Sequence, residues 1–259
     1  MRCSQTHIHS ALPFTAPPLL FVCRLPPIFI ATQPVTNTVG YTTKTLEANS
    51  WYLIGSGFEG TDGNAFSIQE FITGLTAGSS AADAPTIQYW DGTKLATLYY
   101  INGALDSVTY DVVTAWADAD TMSSTLTVAP GWGCWIKVPT ASTITLSGQI
   151  AAVGKTLTLT SGWQLVGNPY PIATPFNGGV MDCTGLTAGS SAADAPTIQY
   201  WDGTKLATLY YINGALDSVT YDVVTAWADA DTMSSTLSLD PCTGFWVKSG
   251  TGGTIEWKR

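Results

Sequence analysis

Short runs of β-branched and aromatic residues, separated by turn residues, recur along the chain from residue 39 onward. Two of the runs end in Asp91-Gly92 and Asn102-Gly103, and such pairs favour tight hairpins because both residues tolerate positive φ. We therefore predict a three-stranded antiparallel meander over residues 86–90, 93–101 and 107–112.

The third run alternates between apolar and polar residues, which predicts that Val108, Tyr110 and Val112 share one face of its strand. Further β-rich runs lie at residues 51–55, 133–138 and 142–146. Antiparallel strands at this spacing predict an all-β fold, in which each domain is a small sandwich or a partly open barrel.

An internal repeat divides the chain into two parts. Residues 73–126 recur without change at residues 184–237, an offset of 111. Weaker likeness continues on both sides of the identical segment. We therefore predict two tandem domains, module 1 at residues 39–149 and module 2 at residues 150–259.

One helix is predicted, in module 1. The apolar residues 68, 71, 72 and 75 have helical spacing, and Ser67 with Glu70 matches a capping box at its start. Module 2 has Asn177-Gly178-Gly179 in the corresponding place, so this helix should be weak or absent there.

Residues 1–38 differ from the rest of the chain. Arg2 precedes apolar runs that prolines interrupt, and the polar pair Thr32-Gln33 follows them. This order resembles a secretory leader and predicts a secreted or extracellular surface protein, with a disordered tail as the alternative. No uninterrupted apolar stretch approaches the roughly 20 residues of a membrane-spanning helix, so membrane insertion is not predicted.

Charged residues make up only 11% of the chain, and the net charge is −9. An average soluble domain has roughly 25% charged residues, and a low fraction is typical of extracellular β proteins. The chain has no cluster of Lys and Arg, which nucleic acids and anionic membrane surfaces require of their partners. Nucleic acid is therefore not a predicted partner.

Three segments of module 2 resemble a known kind of module. These are Gly162-Trp-Gln-Leu-Val-Gly-Asn-Pro-Tyr-Pro171, Tyr200-Trp-Asp-Gly203 and Gly244-Phe-Trp-Val-Lys248. Together they are similar to a repeat in large, uncharacterised secreted or surface proteins of environmental bacteria. In module 1, Ser56-Gly57-Phe58 replaces the Asn-Pro-Tyr part. The resemblance implies a surface location and tandem use, and it implies no activity.

Two kinds of binding residue are candidates within the repeat. An aromatic platform for a sugar ring is one, and core packing is its alternative, since each buried ring removes roughly 150–250 Å² from water. The candidate platform residues are Trp90, Tyr100 and Trp116 with their copies Trp201, Tyr211 and Trp227. Paired carboxylates are candidate Ca²⁺ ligands, with a solvated acidic loop as the alternative. These are Asp118 and Asp120 with their copies Asp229 and Asp231.

The cysteines of module 2 suggest a covalent link. Cys183 aligns with Ile72 and Cys242 with Gly131, so module 2 has both cysteines and module 1 has neither. Presence as a pair predicts a Cys183–Cys242 disulfide, consistent with export, and two unrelated buried thiols are the alternative. Cys134 aligns with Phe245 and is predicted to be a core residue.

The inventory of catalytic side chains argues against an enzyme. Beyond residue 38 the chain has no histidine, which removes histidine-based triads and imidazole-bound zinc. We therefore expect a non-enzymatic structural or adhesive protein without an obligate cofactor. Its expected partners are other surface proteins, polysaccharide or further copies of itself. A pair of carbohydrate-binding modules is the alternative, and a secreted hydrolase with two aspartates is a third possibility.

Overall fold

Antiparallel strands account for most of the chain in the computed structural model, which describes residues 38–60, 63, 65–202 and 205–258. The strands of each sheet all come from one of the two predicted modules. Both modules belong to one compact unit that runs from Asn37 to Arg259. The predicted leader lies outside the described residues except for Thr38. No helix in the described part of the chain has the length and hydropathy needed to cross a membrane.

Module 1 contains a five-stranded sheet, a three-stranded sheet and a two-stranded ladder. Its strands are β1 (Val39–Leu46), β2 (Trp51–Gly55), β3 (Phe66–Ser67), β4 (Ile72–Thr73), β5 (Thr86–Trp90), β6 (Leu95–Leu105), β7 (Val112–Ala117), β8 (Thr127–Val128), β9 (Gly133–Lys137) and β10 (Ser142–Gln149). The orders are β2-β9-β5-β6-β7 and β1-β10-β4, and β3 pairs with β8.

Module 2 repeats this topology. Its strands are β11 (Lys155–Leu159), β12 (Gly162–Gly167), β13 (Thr174–Pro175), β14 (Met181–Gly185), β15 (Thr197–Trp201), β16 (Leu206–Leu216), β17 (Val223–Ala228), β18 (Ser238–Leu239), β19 (Gly244–Ser249) and β20 (Gly253–Trp257). The orders are β12-β19-β15-β16-β17 and β11-β20-β14, and β13 pairs with β18.

In each module the core lies between the two larger sheets. In module 1 it joins Leu46 and Ile144 of the three-stranded sheet to Ile54, Ile87 and Ile136 of the five-stranded sheet, and all five are fully buried. The second module builds its core in the same way. Because both sheets are open and pack face to face, the predicted all-β fold is confirmed, in its sandwich form.

The predicted helix is present but is a single turn, α1 (Ile68–Phe71). The Ser67 hydroxyl accepts a hydrogen bond from the Gln69 amide, as the capping pattern predicted. The helix ends early because Ile72 enters strand β4 and pairs with Leu146 of β10. Module 2 has strands β13 and β14 in this region and no helix among its described residues.

The predicted meander is right in its first hairpin and wrong in its second. Strands β5 and β6 are joined through residues 91–94, as Asp91-Gly92 indicated. Asn102-Gly103, however, lies inside β6, where the register shifts at a bulge. Gly103 supplies the positive φ, 90°, at this bulge. The hairpin turn lies instead at residues 106–111.

The face predicted for the third strand is also wrong. Val108 and Tyr110 lie in the β6–β7 turn, and Val112 begins β7. All three are exposed, by 81%, 74% and 75%. The apolar alternation that suggested a buried strand face therefore belongs to the tip of a hairpin.

A side-chain amide caps the outer strand of each five-stranded sheet. Gln69 donates to the Trp116 carbonyl (2.9 Å) and accepts from the Trp116 amide (2.7 Å). In module 2, Asn177 makes the same two contacts with Trp227, at 2.8 and 2.9 Å. The two amides occupy corresponding positions, because the residue before each one, Ile68 or Phe176, donates its backbone amide to the corresponding carbonyl of Leu126 or Leu237. Each side-chain amide takes the place of a neighbouring strand.

The two modules meet along a seam formed by β2 and β9 on one side and β12 and β19 on the other. The Gly55 amide donates to the Cys242 carbonyl (2.9 Å), and the Gly167 amide donates to the Gly131 carbonyl (2.7 Å). Gly55 corresponds to Gly167, and Gly131 corresponds to Cys242. The contacts are therefore reciprocal, as in a twofold interface between identical subunits.

Glycines allow the backbones to approach closely at this seam. A Cβ on Gly55 would lie 2.6 Å from the Gly167 Cα, and a Cβ on Gly167 would lie 2.6 Å from the Gly55 Cα. A Cβ on Gly133 would lie 2.3 Å from the Val166 carbonyl oxygen. These obstacles are backbone atoms, which cannot rotate away as a side chain does.

Side chains close the seam around the glycines. Leu53 points away from its own core by strand alternation, yet it is only 4% exposed. The ring of Trp90 lies 6.4 Å from that of Trp246 in the other module, nearly edge-on. Lys155 forms a 2.5 Å ion pair with Glu59, whose side chain is 8% exposed. Apolar, aromatic and charged contacts therefore all join the modules.

We expect Gly133→Ala to lower the free energy of unfolding by about 1–3 kcal/mol, as overpacking does elsewhere. This corresponds to a loss of roughly 2–12 °C in Tm for a unit of this size. Gly250→Ala is the matched control, because a Cβ there meets nothing within 4 Å. Differential scanning calorimetry compares the two, and equal Tm values for both variants would contradict the role assigned to the seam.

Candidate functional site

The most prominent concave surface of module 1 lies beside the β5–β6 hairpin and has a volume of about 950 Å³. We call it the module 1 cleft. Its lining includes the aromatic residues Tyr89, Trp90, Tyr99 and Trp132 and the charged residues Asp91, Lys94, Asp118 and Asp120. It therefore brings Trp90, predicted to bind a sugar, together with Asp118 and Asp120, predicted to bind a cation.

Strand alternation places these rings around the end of the sheet. On β5, Tyr89 points toward the core side and Trp90 toward the opposite face. The Tyr89 ring lies 6.0 Å from that of Trp132. Burial raises the pKa of the Tyr89 hydroxyl, and the nearby carboxylates of Asp91 and Asp118 raise it further. The phenol is therefore a neutral hydrogen-bonding group at ordinary pH.

The carboxylate of Asp91 is occupied by its own turn. It accepts hydrogen bonds from the Lys94 amide (2.9 Å) and from the Thr93 amide and hydroxyl (both 2.8 Å). The bonds from Lys94 and Thr93 lower the pKa of Asp91. This aspartate therefore fixes the hairpin turn and remains ionised at ordinary pH.

Asp118 has the same role in the loop that follows β7. Its carboxylate accepts from the Asp120 amide (2.9 Å), the Thr121 amide (2.7 Å) and the Thr121 hydroxyl. Partial burial acts to raise the pKa of Asp118, but the bonds from Thr121 and Asp120 outweigh burial and lower it. The copy Asp229 is held in the same way by Asp231 and Thr232.

The calcium prediction gains no support from this arrangement. Asp118 and Asp229 direct their oxygens at backbone amides of their own loops. Within the described ranges, no group of three or more His, Cys, Asp or Glu side chains is placed to hold a metal ion. Asp120 and Asp231 are exposed beside these loops. The geometry matches the alternative, a solvated acidic loop.

The platform prediction was wrong for Trp116, Tyr211 and Trp227, which are buried in the cores. Tyr100 is partly buried and packs against the module 1 core. Trp116 is fully buried, and its ring lies 5.4 Å from that of Tyr100. Trp227 is likewise buried, 5.3 Å from Tyr211. Of the two neighbouring tyrosines in β6, Tyr99 rather than Tyr100 reaches the module 1 cleft. Strand alternation places only one of two neighbouring residues on the outer face of the sheet, and the sequence did not indicate which tyrosine it would be.

The sixth predicted residue, Trp201, lies in a different depression, which we call the inter-module groove. This groove has a volume of about 480 Å³. Module 1 contributes Lys44, Thr45, Tyr52 and Leu53, and module 2 contributes Tyr200, Trp201, Asp202, Ser238, Asp240 and Thr243 among others. Lys44 was not predicted as a site residue, because nothing in the repeat indicated that the modules would face each other there.

The predicted Cys183–Cys242 disulfide is absent, since both residues are free thiols. Cys183 lies in the module 2 core, where its sulfur accepts a 3.2 Å hydrogen bond from the Trp227 indole N–H. In module 1 the corresponding residue is Ile72, and the corresponding indole, that of Trp116, has no partner. Cys183 thus accepts a hydrogen bond from a buried indole N–H whose counterpart in module 1 has no acceptor.

Cys242 lies at the seam and packs with the core residues of module 1 rather than with Cys183. Its φ is 50°, at the position where module 1 has Gly131 with φ 85°. A Cβ on Gly57 would lie 2.6 Å from the Cys242 sulfur. Burial raises the pKa of this thiol to about 11. Cys183 and Cys242 therefore pack at two separate positions of the structure, although both occur only in module 2.

In comparisons with known proteins, no family model and no curated sequence matches the chain.

Acid should weaken the fold through the turn aspartates. The lowered pKa of Asp118 and Asp229 means that their stabilisation is present above the unfolded value of about 3.9 and is lost as pH falls through the folded value. We expect Asp118→Asn/Asp229→Asn to lower Tm at pH 7, and the difference from wild type to shrink below about pH 4.

The matched control is Asp120→Asn/Asp231→Asn, which removes the same charge from the same loops without removing a turn cap. Thermal unfolding followed by circular dichroism between pH 2 and 7 separates the two pairs. A wild-type Tm that does not change below pH 4 would contradict this assignment, as would equal effects of both double variants.

Proposed function

We propose that this protein is a non-enzymatic structural and adhesive unit of an extracellular surface, and the hairpin tips carry this proposal. Val108, Tyr110 and Val112 project from the β6–β7 tip of module 1, each at least 74% exposed. Their copies Val219, Tyr221 and Val223 are exposed by 82%, 74% and 75%. Clustered exposed apolar side chains mark interaction surfaces rather than ordinary solvent-facing positions.

Hydrogen bonds within the turn give the hairpin tip of module 1 a defined structure. The Asp106 carboxylate accepts from the amides of Val108 (2.9 Å) and Thr109 (2.7 Å), and its carbonyl accepts from the Tyr110 amide (3.0 Å). Tyr110 is held at φ 60°, a left-handed conformation that is unfavourable for a bulky residue. Backbone strain of this kind persists where the surrounding structure fixes it, and it is frequent at functional positions.

The seam supports an adhesive role because it fixes the two tips in one body. When two binding surfaces belong to one rigid body, binding at the first raises the effective concentration of the second at its target. Two surfaces on separate chains lack this advantage. The resemblance to tandem modules of surface proteins agrees with this use.

The state of the carboxylates supports a non-enzymatic role. Hydrogen bonds lower the pKa of eight aspartates in the described part of the chain, which are Asp83, Asp91, Asp106, Asp118, Asp182, Asp194, Asp217 and Asp229. A hydrolase with two carboxyl groups needs one of them raised so that it can act as a general acid. The hydrolase alternative therefore gains nothing from these groups.

Self-adhesion through the tips is directly testable. Beads coated with the protein should cluster, and Tyr110→Ser/Tyr221→Ser should abolish clustering because it removes the exposed ring from both tips. Tyr41→Ser is the matched control, since Tyr41 is 75% exposed on β1. Light scattering of the bead suspension gives the readout. Clustering that survives the tip variant, or that is lost equally in the control, would contradict the proposal.

Carbohydrate binding is the second candidate, and the module 1 cleft favours it. A sugar ring presents an apolar face to an aromatic side chain and hydroxyl groups to polar ones. Trp90 and Tyr99 supply rings, while Asp120 supplies an exposed carboxylate that caps no turn. The cleft volume of about 950 Å³ lies in the range of small-molecule sites.

A glycan array and polysaccharide affinity electrophoresis would test this candidate. Asp120→Ala/Asp231→Ala should raise Kd about tenfold, which is the loss of one charge-assisted hydrogen bond. Asp111→Ala/Asp222→Ala removes equal charge at the hairpin tips and should leave Kd unchanged. Absence of saturable binding across the panel by the folded wild-type protein would count against the candidate.

A further inference from the structure

We propose that the inter-module groove binds a neutral pyranose, stacked on Trp201 and hydrogen-bonded by Lys44, Tyr200 and Asp240. This takes its ligand class from the carbohydrate-binding candidate but places the sugar at the seam, a site that neither module has alone. Four features of the groove carry the inference.

The first is an under-bonded cation. Lys44 pairs with Ile144 on β10, as Leu157 pairs with Ile255 in module 2, so an apolar residue fits this register position. The Lys44 ammonium donates across the seam to the Thr243 hydroxyl at 2.9 Å. An ammonium has three protons to donate. Burial lowers the pKa of Lys44, while Cys242 and Asp240 raise it less. The amine is therefore partly desolvated, and its hydrogen bond to Thr243 uses one of its three protons.

The second feature is an unsatisfied phenol. Tyr200 lines the groove, is only 4% exposed, and its hydroxyl has no hydrogen-bond partner. A buried hydroxyl left unpaired costs about 1–3 kcal/mol, which a ligand hydroxyl or a water held with it would recover. Burial and the charge of Asp202 raise the pKa of Tyr200 to about 12, so the phenol keeps its proton.

The third feature is an apolar surface at the mouth. Trp201 is 38% exposed, and Leu237 beside it on the groove lining is 40% exposed. The copy of Trp201 in module 1 is Trp90, which packs against Trp246. Trp201 is therefore more exposed than Trp90, which is partly buried.

The fourth feature is the mixture of charges, which selects the ligand class. Lys44 is opposed by Asp202 and Asp240, so the groove is net negative and disfavours an anion. An apolar ligand would leave Lys44 and Tyr200 without partners. A sugar hydroxyl both donates and accepts, and the C–H face of the ring packs on an indole. The groove volume of about 480 Å³ admits one or two such rings.

The probes are methyl glucoside, methyl galactoside, methyl mannoside and glucuronic acid, each titrated into the full chain and followed by saturation-transfer NMR. We expect saturable binding of a neutral glycoside and weaker binding of the acid. Trp201→Ala and Lys44→Leu should each raise Kd about tenfold or more. Leucine is the residue that module 2 already has at the Lys44 position.

Tyr200→Phe removes only the hydroxyl and keeps the ring packing, so it remains informative if another variant unfolds. Unchanged Kd in Lys44→Leu, Trp201→Ala and Tyr200→Phe, or preference for glucuronic acid, would overturn the groove assignment. Binding that survives these changes but is lost in Asp120→Ala/Asp231→Ala would place the sugar in the module 1 cleft and keep the carbohydrate-binding candidate. No binding of any probe would overturn both.

Discussion

Two glycine backbones lie in direct contact at the seam, and the relative position of the two modules follows from this contact. Gly55 and Gly167 leave no room for a Cβ between them. Their amides donate hydrogen bonds to the carbonyls of Cys242 and Gly131, respectively, which hold them in place. This contact buries Leu53, brings Trp90 against Trp246 and creates the groove in which Lys44 faces module 2. A glycine-lined interface of this kind specifies one relative orientation, because any side chain would force the sheets apart.

Sequence patterns predicted what depends on local chemistry. Strand content, the Asp91-Gly92 hairpin and the Ser67 cap all follow from neighbouring residues, and so did the loss of the helix in module 2. The errors arose where distant residues decide. Asn102-Gly103 became a bulge because its strand continues to pair with β7. Cys242 took a glycine-like conformation because the opposing module offers it a place beside Gly57. Neither outcome is encoded within a window of ten residues.

The candidate sites were predictable in composition but not in arrangement. Trp90, Asp118 and Asp120 were chosen as two separate sites and share one cleft. The repeat also compares identical residues in different surroundings. Trp116 and Trp227 have the same neighbours in sequence, yet only Trp227 has an acceptor, because Cys183 lies in a segment where the two modules differ. Tyr89 and Tyr200 are also copies of one another, but Tyr89 is partly exposed and Tyr200 is buried. Residues outside the identical segment therefore decide how the identical residues are used.

The paired amides of Gln69 and Asn177 have a consequence for chains that carry the same strands twice. An unpaired strand edge recruits another strand, and identical edges recruit each other, which is how sheet proteins polymerise into fibrils. Each amide occupies the amide and carbonyl of the tryptophan on that edge, Trp116 or Trp227. An incoming strand would meet an interrupted ladder and lose its register. These two side-chain amides therefore oppose edge-to-edge pairing of the duplicated sheets.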